Sequence, residues 1–435
     1  MFLLFDSILI SKKMLPWPVI NNNIRWVSMM TKATASQNSN LLPLYAVIFL
    51  GFFGYALTIA LFIPMLLDKN FNLLPLTSPT SLRVSLAGFL LAMYPLGQFL
   101  GSPVIGKLSD HFGRKKILMI SLIACCLGFI GIALSIQTHH LTLLFISCFV
   151  TGLCESNMAI SQSVIAEHTQ DVAHKTKLIG YAYSACSLGY VIGPLVGGFG
   201  ATALGYSFPF WITAIGVLFL SLWIGYSLQD NYRPHKEVPI KLIEAVTAMK
   251  TIFNRPKLRK IYLINFLIFF AILGLYRVAP IYVVDTWHPA LHIYTLLISF
   301  VSVLCLLANL LLIGRLAKKF TTQKLLFGLL LFSSLFIIIM IIPEHFSWIW
   351  LTYGLAVIPT VMALTTCTAW ISHHASAEEQ GQVLGNNQAL LVLGEAASAA
   401  IGGLIAAINV SLPIIVMGII LLIAGFMVWR MKKQP

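Results

Sequence analysis

The sequence predicts an all-α membrane protein: twelve transmembrane helices in two pseudo-symmetric six-helix bundles. Three observations carry that prediction. Of 435 residues, 58% are hydrophobic and only 10% charged, with a mean hydropathy of +0.89, which is more apolar surface than a water-soluble core hides. The apolar residues gather in runs of about 20, the length a helix needs to cross a bilayer. The longest polar interruption lies near the middle, with six such runs on each side.

The runs begin near Leu42, Val84, Leu118, Leu141, Leu178, Pro209, Ile261, Tyr294, Leu325, Ile349, Val383 and Pro413. They lack the alternation of barrel strands, and backbone amides in lipid must be satisfied within their own segment, so each run is a helix. Residues 1–40 form a polar cytoplasmic tail in which "FLLF" is too short, and lacks the basic leader, for a cleaved signal; Met29 or Met30 is an alternative start. Residues 41–228 make the first bundle, 229–259 a cytoplasmic loop, 260–430 the second bundle and 431–435 a cytoplasmic tail. Within the central loop, "IKLIEAVTAMKTIF" has helical periodicity and a basic face, which predicts a helix lying on the membrane surface.

A net charge of +14 would suggest nucleic acid in a soluble protein, but here its distribution reports topology. With the N-terminus inside, 25 of the 28 basic residues fall on the inner side, Lys69 and Arg83 outside, and Arg277 within a span. That bias places both termini in the cytoplasm of a multi-pass plasma-membrane protein, the inner membrane of a bacterium. The seven cysteines, Cys125, Cys126, Cys148, Cys154, Cys186, Cys305 and Cys367, lie in apolar runs without ligand-like spacing to histidines, so they read as packing residues. No zinc pattern, phosphate-cradling loop or nucleophile elbow occurs, which speaks against an enzyme, an ATP-driven pump, a bound metal or a cofactor.

The halves repeat one another. "GKLSDHFGRKKIL" from Gly106 aligns with "GRLAKKFTTQKLL" from Gly314, and the second copy has lost the acid. "GYAYSACSLGYVIGPLVGG" from Gly180 aligns with "GNNQALLVLGEAASAAIGG" from Gly385, keeping Gly189/Gly394 and the terminal Gly-Gly pair. Duplicated six-helix halves are the architecture of many secondary transporters, with a site near the midplane between them. Within the first half Gly189, Gly193 and Gly197 recur every fourth residue, a stripe that lets another helix approach closely, while Pro194 removes the amide that would bond the Tyr190 carbonyl.

Ionisable groups inside spans are candidates for function because burying charge in a membrane is costly. Glu155 shares a fourth-span face with Thr151, Met158 and Gln162, a polar stripe that is expected to face a cavity. Glu395 shares a stripe of the eleventh span with Gln388, and Asn387 adds polarity nearby. Arg277 either lines the cavity or reaches outward toward Asp285 as an anchor. Tyr94, Tyr276, Trp370 and Phe149 are aromatic candidates for lining an apolar substrate site. Glu155 is the first choice for a proton-coupling group and Glu395 the reserve.

These residues carry a resemblance to the major facilitator superfamily, extending from Leu42 to Arg430. Gly106, Leu108, Asp110, Gly113, Arg114 and Lys115 match the family's loop signature between the second and third helices. Gly180, Gly189, Gly193, Pro194, Gly197 and Gly198 match its fifth-helix signature, associated with proton-coupled exporters, so the first half is similar to the tetracycline and multidrug antiporter branch. The resemblance implies alternating access, and a latch in which Asp110 pairs with Arg114 or sits on a helix N-terminus, with Glu167 as a partner acid. Where that branch usually carries a basic residue in the fourth helix, this chain has Cys148. The leading expectation is thus a proton-coupled exporter of a small amphipathic or drug-like molecule, acting as a monomer in the lipid bilayer. Alternatives are a proton-coupled importer of a nutrient or a metal chelate such as a siderophore, and a membrane receptor or sensor that no longer transports.

Overall fold

The computed structural model describes residues 41–155, 157–167, 171–228, 256–372, 374 and 380–431. The N-terminal tail and the surface helix expected in the central loop lie outside them. Twelve helices among the described residues are long and apolar enough to cross a membrane. In chain order they are span 1, Leu42–Leu67; span 2, Thr80–Phe112; span 3, Arg114–Gln137; and span 4, which runs Leu141–Cys154 and resumes as Asn157–Glu167. Span 5 is Val172–Leu204, span 6 Phe208–Ser227 and span 7 Pro256–Trp287. Span 8 runs Leu291–Leu307, passes through a π-helical segment, Ala308–Ile313, and ends as Gly314–Lys319. Spans 9 to 12 are Thr322–Ile339, Ile349–Ser372, Gln380–Ala406 and Leu412–Arg430.

The helices begin at or a few residues before the expected starts, because polar and basic end residues continue the helix beyond the apolar run that betrays it. Turns are set locally. Gly113, with φ 96°, ends span 2 in a conformation that side-chain-bearing residues rarely adopt, and so lets span 3 begin at the next residue.

Two kinds of contact arrange the spans. Within the first half, span 4 lies backbone to backbone on span 2, since a Cβ on Gly97 would stand 2.7 Å from the Leu153 amide. Span 5 lies equally close to span 1: a Cβ on Gly193 would stand 2.8 Å from the Phe53 carbonyl oxygen. Between the halves, span 2 meets span 11 where Gly88 faces Gly403, and span 5 meets span 8 where Gly198 faces Thr295. The Tyr294 hydroxyl also crosses the divide to the Ile59 carbonyl at 3.4 Å.

These cross-half contacts lie toward the end of the molecule that carries loops 68–79, 205–207, 288–290 and 407–411. At the opposite end, Gly106, Gly180, Gly314 and Gly385, which open the repeated segments, have no atom of another element among the described residues within 4 Å of where a Cβ would stand. Tyr181 and Tyr183 are exposed there. The two bundles therefore close against one another at one end and part at the end bearing the basic loops.

Candidate functional site

Where the halves meet in the middle, three polar side chains join. Arg277 of span 7 donates from Nη2 to Oε1 of Glu395, on span 11, at 2.5 Å. The same oxygen receives the hydroxyl of Tyr55, from span 1, at 2.8 Å, and that hydroxyl accepts in turn from Arg277 Nη2. The guanidinium carbon also sits 4.8 Å from the centre of the Tyr55 ring, a cation–π contact. Tyr55 is held by Tyr94 of span 2, ring centres 4.7 Å apart, and by Tyr190 of span 5 at 6.2 Å. Phe52 closes on Tyr190 from below at 5.3 Å.

The electrostatics are those of a buried pair whose partners compensate one another. The Arg277 side chain is 2% exposed and that of Glu395 12%, so the carboxylate is the member nearer the opening. Nε and Nη1 of Arg277 have no hydrogen-bond partner among the described residues. Removing the charge on Glu395 would thus leave a lipid-depth cation without its counter-ion.

The other sequence-derived candidates divide. Arg277 turns inward to Glu395 and does not reach outward to Asp285, because a carboxylate at bonding distance in a dry interior outweighs a distant one at the rim. Gln388, two turns from Glu395, is exposed toward the open end. Asn387 is buried and accepts from Asn265 Nδ2 at 2.7 Å, a bond that ties span 11 to span 7.

Glu155 departs from the expected stripe. Span 4 breaks at that residue, whose backbone leaves the helical region at φ −90° and ψ 82°, so the face shared with Thr151, Met158 and Gln162 does not continue through it. Its carboxyl lies inside the first bundle against Gly51, where a Cβ would come within 2.5 Å of Oε1. Leu122, Cys125, Phe129, Val217 and Leu220 complete that apolar nest. Oε2 of Glu155 and Nε2 of Gln162 have no hydrogen-bond partner among the described residues. Thr151 bonds its own helix through the Ser147 carbonyl.

At the open end, Asp110 pairs with Arg114 one turn away, across the Gly113 bend, at 3.8 Å. The Asp110 side chain is 65% exposed and that of Arg114 14%. Lys115 follows on the same turn, and the side chain of Glu167 lies outside the described residues. The glycines of span 5 split between two tasks. Gly189 and Gly193 seat span 1 of their own half, where a Cβ would meet the carbonyls of Phe49 and Phe53, whereas Gly198 reaches Thr295 of the other half. Cys148, in place of the family's fourth-helix base, is fully buried.

Sequence reasoning missed Tyr55. In a chain that is 12% aromatic a tyrosine within a span is not distinctive, and only the neighbourhood of Arg277 and Glu395, distant by 222 and 340 residues, gives it meaning.

Comparison with known proteins agrees with this architecture. The sequence model of the Major Facilitator Superfamily matches residues 44–358 and 261–435. Multidrug resistance protein 2 of Bacillus subtilis (strain 168) is 23% identical over 411 residues, spanning 93% of this chain and 98% of that protein. The class B tetracycline resistance protein of Escherichia coli is 32% identical over 192 residues, 42% of this chain and 47% of that protein. Among solved structures, a D-xylose–proton symporter superposes with a TM-score of 0.69 at 18% identity, covering 90% of this chain and 97% of that one. A match across both halves, on twelve spans that close at one end and part at the other, is that of a transporter, and the chain belongs to the major facilitator superfamily.

Proposed function

We propose that the protein exports a small amphipathic, drug-like molecule across the plasma membrane in exchange for protons, with Glu395 as the proton-carrying group. The observation that carries this reading is the Arg277–Glu395 pair, buried where the halves meet and joined to the first half by Tyr55. A proton on that carboxylate neutralises it and weakens its bonds to Arg277 and Tyr55, so loading a proton changes the forces between spans 1, 7 and 11. The open end bears the basic loops, which the positive-inside bias assigns to the cytoplasm, so the conformation is the one that would receive substrate from inside. The names of the multidrug and tetracycline resistance relatives support export of an amphipathic compound. Tyr190 and Phe52, with ring centres 5.3 Å apart, supply the aromatic surface such a compound would use. Among the sequence candidates the proton role passes from Glu155 to Glu395, because Glu155 faces the interior of its own bundle.

Purified protein in vesicles tests this with tetracycline and a cationic amphipathic dye as probes. Accumulation driven by an imposed proton gradient should occur with the parent protein and fall to background in Glu395→Gln, while exchange of probe without a gradient survives. Gradient-driven accumulation retained by Glu395→Gln would remove Glu395 from the proton path. Cys148, standing where the exporter branch has a base, favours keeping import as the second reading. Probe moving in the same direction as the protons would establish it.

A further inference from the structure

Arg277 and Glu395 both belong to the second half, so a bond between them, made or broken, places no direct demand on the first half. Tyr55 does. Its hydroxyl, carried by span 1, donates to Glu395 Oε1 at 2.8 Å and accepts from Arg277 Nη2, while its ring lies under the guanidinium. The residue is 5% exposed, and the rings of Tyr94 and Tyr190 fix it from spans 2 and 5. The titratable groups around Glu395 are thus Arg277 from span 7, Tyr55 from span 1 and Tyr190 from span 5, with Cys186 and Glu155 in electrostatic range of Tyr190.

We propose that Tyr55 is the positioning residue that ties the charge on Glu395 to the contact between the two halves. The inference rests on the proton-carrying role proposed for Glu395. A hydroxyl bonded to a carboxylate is held more tightly than one bonded to a neutral carboxyl, by roughly ten-fold or more. While Glu395 is charged, span 1 is drawn to spans 7 and 11. When Glu395 takes a proton that hold slackens, and the halves are free to part at the end now closed. Linkage requires the reverse influence to be equal: the position of the halves alters the proton affinity by the same factor.

Tyr55→Phe removes the hydroxyl and keeps the ring. Exchange of tetracycline or dye without a gradient should persist, which also verifies folding, while gradient-driven accumulation drops by about ten-fold or more. A second readout isolates the link. Spin labels on Asn70→Cys and Ile408→Cys, exposed in loops of the closed end on opposite halves, should move apart in the parent as pH falls and stay unresponsive in Tyr55→Phe. The seven native cysteines are buried or half-buried. If Tyr55→Phe loses exchange as well, the same labels in Glu395→Gln decide: a distance distribution shifted toward the parted state and insensitive to pH is expected, and an unchanged response to pH overturns the proposal. Parental accumulation in Tyr55→Phe, with labels that still respond, also overturns it. Should Glu395→Gln itself retain gradient-driven transport, it is the proton role of Glu395 that fails. Loss in Glu395→Gln with full coupling in Tyr55→Phe overturns the role of Tyr55 alone.

Discussion

A guanidinium in a membrane protein must find acceptors where it is buried, and the two arginines buried among the described residues do so differently. Arg277 takes a carboxylate and a hydroxyl from other spans, whereas Arg83, 1% exposed near the start of span 2, takes only carbonyls. Its Nη1 donates to Leu66 and Asp68 at 3.0 and 3.4 Å, and its Nη2 to Leu74 and Pro75 at 3.3 and 3.0 Å. Those acceptors are the C-terminal carbonyls of span 1 and the loop that follows, left over where the helix ends and negative in its dipole. Arg83→Met should therefore lower stability by about 3 kcal/mol, since each bond from a charged donor contributes roughly 1.5–3 kcal/mol and part of the loss is recovered by apolar burial. A thermal-unfolding midpoint in detergent unchanged from the parent would contradict this clamp. The sequence shows both arginines as charges in or beside apolar runs but cannot separate their roles, because the acceptors of Arg83 are backbone atoms and carry no residue signature. Glu155 was legible as an acid in a span. Its direction was not, since side-chain phase is computed along an unbroken helix and span 4 is broken at that residue.

At the scale of an element, span 5 is the most informative. Its glycine repeat is visible in the sequence and fixes which face is flat, but a flat face does not name its neighbour. The neighbour is span 1, and the approach is to backbone: the Phe49 carbonyl lies 2.6 Å from where a Gly189 Cβ would stand, and the Phe53 carbonyl 2.8 Å from that of Gly193. Two residues beyond Phe53 is Tyr55. Gly193→Leu should consequently leave the protein inserted, because its length and apolarity are unchanged, yet push span 1 aside and draw the Tyr55 hydroxyl away from Glu395. Normal membrane yield with gradient-driven transport reduced at least ten-fold is expected, and transport at the parental rate would show that this interface does not work as inferred. The π-helical segment of span 8, Ala308–Ile313, left no mark in the sequence; "ANLLLI" contains neither the proline nor the glycine that usually betrays an irregular turn.

The duplication made the twelve spans and two bundles legible, since repeated loops and matching glycines outlast changes in the apolar residues between them. It did not reveal how the halves lean on each other, because the contacts are made by the smallest side chains. At the closed end Gly403 and Gly198, the second members of the two terminal Gly-Gly pairs, each press on the opposite half, the former on Gly88 and the latter on Thr295. The two contacts are alike in position and in closeness. A Cβ on Gly403 would meet the Cα of Gly88 at 2.6 Å, and one on Gly198 would meet the Cβ of Thr295 at the same 2.6 Å, an atom that rotation of the threonine side chain does not move. Closure should therefore fail at either crossing, and more severely where the added side chain is bulkier. Gly403→Val is expected to hold that end open, lengthening the distance between labels at 70 and 408 at neutral pH, and to slow exchange at least ten-fold without loss of folded protein. Gly198→Ala should shift the distance less. The reverse order, with Gly198→Ala opening that end and Gly403→Val leaving it closed, would mean that the span 5–span 8 crossing, and not the backbone contact of the two glycines, limits how tightly the halves can meet.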